Sequence, residues 1–146
     1  MIRTAASGEI DTVTAGYDWL FAPPGAQPLQ WDAGRAAERL RAAVAGARSE
    51  LFVADADGAV VGLCTVYLDI ESVRFGQRAW VEDLAVHPDH RSAGHGKALL
   101  DAAKDWARER GATHLELDSA ETRADAHRFY EREQPSWRSI SFGWEL

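Results

Sequence analysis

Apolar positions recur along the chain with periods that name its elements. Ile2 to Ala5 reads as a short strand, and Ser7 as a helix N-cap with Glu9 in the first turn. Ile10, Val13, Tyr17, Leu20 and Phe21 then follow at helical spacing. Three of the five prolines fall within Ala22 to Gln30, which predicts a loop. Asp32 is placed to cap a second helix whose inner face is Ala37, Leu40, Val44 and Ala47. Leu51-Phe52-Val53 and the run Ala59 to Leu63 flank Asp57-Gly58, a hairpin signal. The second of these strands is expected to run on through Tyr67 or Ile70. Glu71 to Gln77 is a polar turn, Arg78 to Val86 the next strand, and Pro88 its stop.

The second half is patterned more sharply. From Gly94 to Arg110, Leu99, Ala102, Ala103 and Trp106 share one helical face, and Gly111 ends the helix. His114 to Leu117 alternates as a strand, and Arg123 to Arg132 reads as a helix carrying Phe129 and Tyr130. Trp137 to Leu146 is predicted as a final strand with Ile140, Phe142 and Trp144 on one side. The predicted order is β-α-α-β-β-β-α-β-α-β, without internal repeats, and residues 1–146 are expected to form a single domain.

Composition narrows the class. No apolar run approaches the roughly 18 residues that span a bilayer, and no basic-then-apolar leader pattern opens the chain. A cytoplasmic protein without a membrane partner is therefore expected. The net charge of −7 argues against nucleic-acid binding, which wants a basic face, and would steer cationic substrates inward. The single cysteine, Cys64, excludes an intrachain disulfide and reads as a small buried strand residue.

One segment carries chemistry. Arg91-Ser92-Ala93-Gly94-His95-Gly96-Lys97 lies between a strand and a helix start. Glycines there let successive N–H groups point into one concavity at the positive end of the helix, where an anion is favoured. It is not a P-loop, because Arg91 and Ala98 stand where that motif needs a glycine and a Ser or Thr. Leu99 likewise replaces the third glycine of a dinucleotide fingerprint. With Val81-Glu82-Asp83-Leu84-Ala85-Val86 upstream and Asp125-Ala126-His127-Arg128-Phe129-Tyr130-Glu131 downstream, Arg-x-x-Gly-x-Gly resembles the acyl-coenzyme-A loop of the GNAT superfamily of N-acetyltransferases.

The resemblance implies an α/β (α+β) GNAT fold. That fold has a mixed sheet of about six to seven strands flanked by about four helices, splayed between the strands at 79–86 and 113–118. It implies acetyl-CoA as co-substrate, no metal, and an amine acceptor on a small molecule or peptide. Leu84, Ala85 and Val86 would offer main-chain groups to the pantetheine arm. Ser92, Ala93, Gly94, His95, Gly96 and Lys97 would hold the pyrophosphate, with Arg91 adding charge. Lys97 reads equally as a solvated first-turn residue. Glu82 would be the general base, through water, or a carboxylate paired with Arg78 or Arg123; adjacent residues of a strand face opposite sides, so only one of Glu82 and Asp83 is expected to face the cleft. Tyr130 would donate a proton to the departing thiolate.

Two departures stand out. Arg123 occupies the place where family members often have an asparagine against the pantetheine and is expected to contact the cofactor there, and Glu133-Gln134-Pro135-Ser136-Trp137 replaces the usual Gly-Phe. Trp19, Phe21, Trp31 and Phe75 would flank an acceptor pocket, or simply pack. His87 and His90 invite a metal reading but suit an ordering role in the loop better. The Trp-rich terminal strand could support a homodimer. A different class remains open: an acyl-CoA-binding module without turnover that senses its ligand.

Overall fold

A computed structural model describes residues 1–146. The strands are β1 (Ile2–Thr4), β2 (Ser49–Ala56), β3 (Ala59–Ser72), β4 (Gly76–Val86) and β5 (His114–Glu116). The helices are α1 (Ile10–Ala15), α2 (Asp18–Phe21), α3 (Ala33–Ala45), α4 (His95–Glu109) and α5 (Ala124–Arg132). The five strands form one sheet in chain order, antiparallel from β1 to β4 and parallel between β4 and β5.

Each face of the sheet carries its own core. On one face, Ile10 and Val13 of α1, Tyr17, and Ala37 and Leu40 of α3 pack over Leu51, Val53, Leu63 and Ala85. On the other, Leu99, Ala103, Trp106 and Ala107 of α4 cover Val61, Cys64, Val66, Ala79 and Val81. Each large side chain buried this way stabilises the fold by about 1.5–3 kcal/mol. Helix α4 lies so close to β3 that a Cβ on Gly62 would stand 3.0 Å from Leu99 Cδ1 and 3.2 Å from Ala85 O. Asp32 caps α3 as its position predicts, with Oδ1 accepting from Arg35 N–H at 2.8 Å.

Five local expectations are corrected. Ser7 does not cap the first helix: Ala6 stands before a short 3-10 turn, and Glu9 reaches back to the Ala6 N–H while pairing with Arg3. The helical stretch then breaks between α1 and α2, and α3 stops before Ala47. The β3–β4 hairpin is longer than expected, with β3 reaching Ser72. The segment Trp137–Leu146 forms no strand, so the sheet has five strands rather than six or seven. Its alternating apolar side chains are exposed instead, Ile140, Phe142 and Trp144 each by about three-quarters.

Candidate active site

The site opens where the sheet divides. β4 and β5 pair at Arg78↔His114, Ala79↔Leu115 and Trp80↔Glu116, and the ladder ends there. Beyond it β4 keeps only its β3 partner, through Leu84↔Cys64, Ala85↔Leu63 and Val86↔Gly62. His87 N–H donates to Val61 O on β3 at 2.8 Å. By the two-residue period of a strand, the main-chain groups of Ala85 face β3 and those of Leu84 and Val86 face the free edge. Arg91 confirms the direction, its Nε–H donating to Val86 O at 3.2 Å.

A β-bulge decides where the two carboxylates point. Val66 pairs with Val81 and Thr65 with Asp83, leaving Glu82 as the extra residue. Strict alternation fails across that step: Ala79 and Val81 face α4, yet so do Leu84 and Val86. Glu82 and Asp83 therefore lie on the same face, the one covered by Tyr17, and not on opposite faces. The Asp83 carboxylate accepts from Tyr17 Oη–H at 2.7 Å and from Thr65 Oγ1–H at 3.4 Å, while Thr65 Oγ1 accepts from Asp83 N–H at 3.0 Å. Burial still pushes the Asp83 carboxyl above the ordinary aspartate range, and these bonds oppose it.

Glu82 is exposed at the cleft. Loss of water around its carboxylate raises its proton affinity, the neighbouring Asp83 charge adds to that, and polar contacts from Trp80 and Tyr67 hold it back. Neither expected arginine pairs with it. Arg78 binds Asp69 at 2.5 Å and Glu116 at 3.2 Å. Arg123 turns its Nη2 donor to Leu20 O at 2.9 Å, tying the start of α5 to the end of α2.

Glu82, Asp83, Leu84, Ser119, Arg123 and Tyr130 line one cavity of about 210 Å³ between the parted strands. Burial pushes the Tyr130 phenol up to about 12, with Cys64 adding to the shift and Arg123 opposing it. The phenol therefore keeps its proton throughout the neutral range. Cys64 is fully buried and its thiol is likewise raised to about 12 by burial, so it is a packing residue and not a nucleophile.

The glycine turn has the conformation its sequence requires. Gly94 sits at φ 86°, which only glycine adopts without strain, and Ser92 at φ 61°. Gly94 precedes α4 and contributes no side-chain cap, so the first-turn N–H groups face outward for an external acceptor. Gly96 lies against α5, where a Cβ would meet Phe129 Cζ at 3.6 Å. Lys97 pairs with Asp101 at 2.7 Å and Glu133 at 3.5 Å in this structure.

The four aromatics expected around the acceptor do not gather as one set. Trp31 stacks on Tyr17 at 5.5 Å and meets Phe21 edge-on at 4.7 Å, while Trp19 stands edge-on to His87 at 5.3 Å. Phe75 is apart from them, exposed at the tip of the β3–β4 hairpin beside His114 and Arg74. The rings of His87, His90 and His95 stand 5.5 and 6.2 Å apart in sequence order and do not converge as a ligand set. Sequence reasoning missed Tyr17, Thr65 and Ser119 as site residues. Tyr17 hides inside an apolar helical face, while Thr65 offers the weaker signal of a hydroxyl set in an otherwise apolar strand.

No helix is long and apolar enough to cross a membrane. Residues 14–134 match the model of the acetyltransferase (GNAT) family. The chain is 41% identical over 93 residues to the uncharacterized N-acetyltransferase YhdJ of Bacillus subtilis (strain 168), covering 64% of this chain and 65% of that protein. It is 41% identical over 87 residues to streptothricin acetyltransferase of Streptomyces lavendulae, covering 59% of this chain and 44% of that one. The match thus spans less than two-thirds of either relative. Among solved structures, a putative acetyltransferase from Agrobacterium tumefaciens str. C58 superposes with a TM-score of 0.81 at 20% identity, covering 100% of this chain and 99% of that one. AAC(6')-Iy in complex with a bisubstrate analog superposes at 0.79 with 17% identity, over 100% and 98% of the two chains. With glycine turn, parted strands and family match agreeing, the chain belongs to the GNAT family of acetyltransferases.

Proposed function

We propose that this protein moves an acetyl group from acetyl-CoA to a primary amine of a small molecule or peptide, by direct attack. The observation that carries this reading is the β4–β5 ladder ending at Trp80/Glu116, with Glu82 on one side of the opening and Tyr130 on the other. Leu84 and Val86 offer the free main-chain edge to the pantetheine arm, as a sheet edge takes another strand. The turn from Ser92 to Gly96 cradles the pyrophosphate through N–H groups, with Arg91 supplying charge. Glu82, through a water molecule, takes the proton from the incoming ammonium; its raised proton affinity makes it a stronger base than an ordinary glutamate. Tyr130 holds its proton against the departing sulfur. The phenol is a weaker acid than a thiol, so it stabilises the thiolate by hydrogen bonding and regains from solvent any proton it gives up. The acidic surface draws cationic acceptors, and Trp31 and Phe21 border the acceptor side.

Relatives named for acetylation of streptothricin and of aminoalkylphosphonates support an amine on a small molecule. The test is release of free thiol from acetyl-CoA over a panel of polyamines, aminoglycosides, amino acids and peptides. Amine-dependent release is expected. Binding of CoA without release on any amine would instead mark an acyl-CoA sensor.

A further inference from the structure

Ser119 lies just beyond β5, and its Oγ is buried without a hydrogen-bond partner. No protein group satisfies this hydroxyl, so its partner is an atom that enters the cavity it lines, a water in the free protein or a ligand oxygen in the complex. The polar groups around it are engaged elsewhere. Asp83 serves Tyr17 and Thr65, Asp118 Oδ2 accepts from Ser141 Oγ–H at 2.9 Å, Glu116 binds Arg78 and Trp137, and Arg123 donates to Leu20 O. Ser119 lines the same cavity of about 210 Å³ as Leu84, Glu82 and Tyr130, across the parted strands from the free Leu84 main chain.

We propose that Ser119 is a further catalytic residue whose hydroxyl donates a hydrogen bond to the carbonyl oxygen of the bound acyl thioester. This rests on the acyl-CoA reading above. Leu84 N–H approaches the same oxygen from the β4 side, so the two donors bracket it. As the amine nitrogen bonds to the carbonyl carbon, negative charge builds on that oxygen and both donors tighten on it. The carbon–sulfur bond then breaks with its electron pair going to sulfur; the nitrogen, whose first proton Glu82 took before attack, passes its second through water to the departing sulfur, leaving a neutral amide and free thiol. Ser119 keeps its own proton throughout.

The test needs no identified amine. Acetyl-CoA labelled with ¹³C at the thioester carbonyl is bound to the full chain and to Ser119→Ala, and the carbonyl stretch is read by difference infrared spectroscopy. The wild type is expected to hold that stretch at lower frequency than Ser119→Ala does, with Ser119→Thr between them. Plain CoA has no thioester carbonyl, so its affinity should change by less than about twofold, under 0.5 kcal/mol. Ser119→Ala should melt at or above the wild-type temperature, since it removes an unpaired hydroxyl. With any amine that reacts, kcat should fall by roughly 10²-fold, the loss typical of one such donor. Identical carbonyl spectra in wild type and Ser119→Ala would overturn the proposal and leave the acyl-CoA reading standing. A lower melting temperature with weakened CoA binding would reduce Ser119 to a structural role and overturn it as well. Failure of the wild type to bind acetyl-CoA at all would overturn both.

Discussion

Tyr17→Phe separates the bond that anchors the acceptor side from the packing around it. The ring stays stacked on Trp31 at 5.5 Å, while the Oη–H donor that reaches Asp83 Oδ2 at 2.7 Å is lost. A hydrogen bond to a charged partner contributes about 1.5–3 kcal/mol. In a chain of this size each kcal/mol moves Tm by roughly 2–4 °C, so the variant should melt about 3–12 °C lower near pH 8. The pH dependence has a definite sign. Burial sets the Asp83 carboxyl above its ordinary value of 3.8, and the Tyr17 bond favours its charged form. Removing that bond raises the carboxyl further. A carboxyl raised in the folded state loses stability as pH climbs from its ordinary value to its folded one. The extra deficit of the variant is therefore small while Asp83 is protonated in both proteins, grows as pH rises through the wild-type folded value and then the higher one of the variant, and is full above both. Thermal melts of both proteins across pH 4 to 8, treated as two-state, supply the measurement. A loss under about 0.5 kcal/mol, or one that does not change with pH, would refute the anchoring argument.

Three further outcomes follow from the site. Glu82→Gln should lower kcat/KM by roughly 10²-fold or more while CoA binding persists. In the wild type, kcat/KM should fall as pH drops through a value above the ordinary 4.5 of glutamate, a limb the variant lacks; a pH–rate profile with the limb retained in Glu82→Gln would remove Glu82 from the role. Cys64, buried and raised to about 12, should resist a thiol reagent in the native protein and react in denaturant; fast native labelling would contradict the packing. Lys97→Ala should weaken CoA binding by less than about 1 kcal/mol, because its ammonium is committed to Asp101 and Glu133, and titration calorimetry reads the difference.

Much of this architecture was legible in the residues. Asp57-Gly58 marks the hairpin, Asp32 the start of α3, and the Leu99–Trp106 face the helix that covers the sheet, because each rests on local chemistry. The glycine turn was equally readable, since only a glycine at position 94 suits the left-handed conformation that starts α4. What escaped depends on pairing between distant strands. A period of two sends Glu82 and Asp83 to opposite faces, and only the register against Thr65 and Val66 reveals the bulge that joins them. The terminal segment failed for a related reason. Ile140, Phe142 and Trp144 alternate as a strand should, but alternation does not supply a neighbouring edge, and the segment remains unpaired and exposed. Nothing local to Phe75 reveals how far β3 and β4 run, and the long hairpin carries it away from Trp31.

The most direct test of the account is a calorimetric titration of coenzyme A into the folded protein. Saturable heat at one site per chain is predicted, weakened when Gly94 is replaced by valine and the left-handed turn can no longer present its N–H groups. A folded wild-type protein that takes up no coenzyme A would contradict the central claim that this turn and the parted strands form an acyl-CoA site.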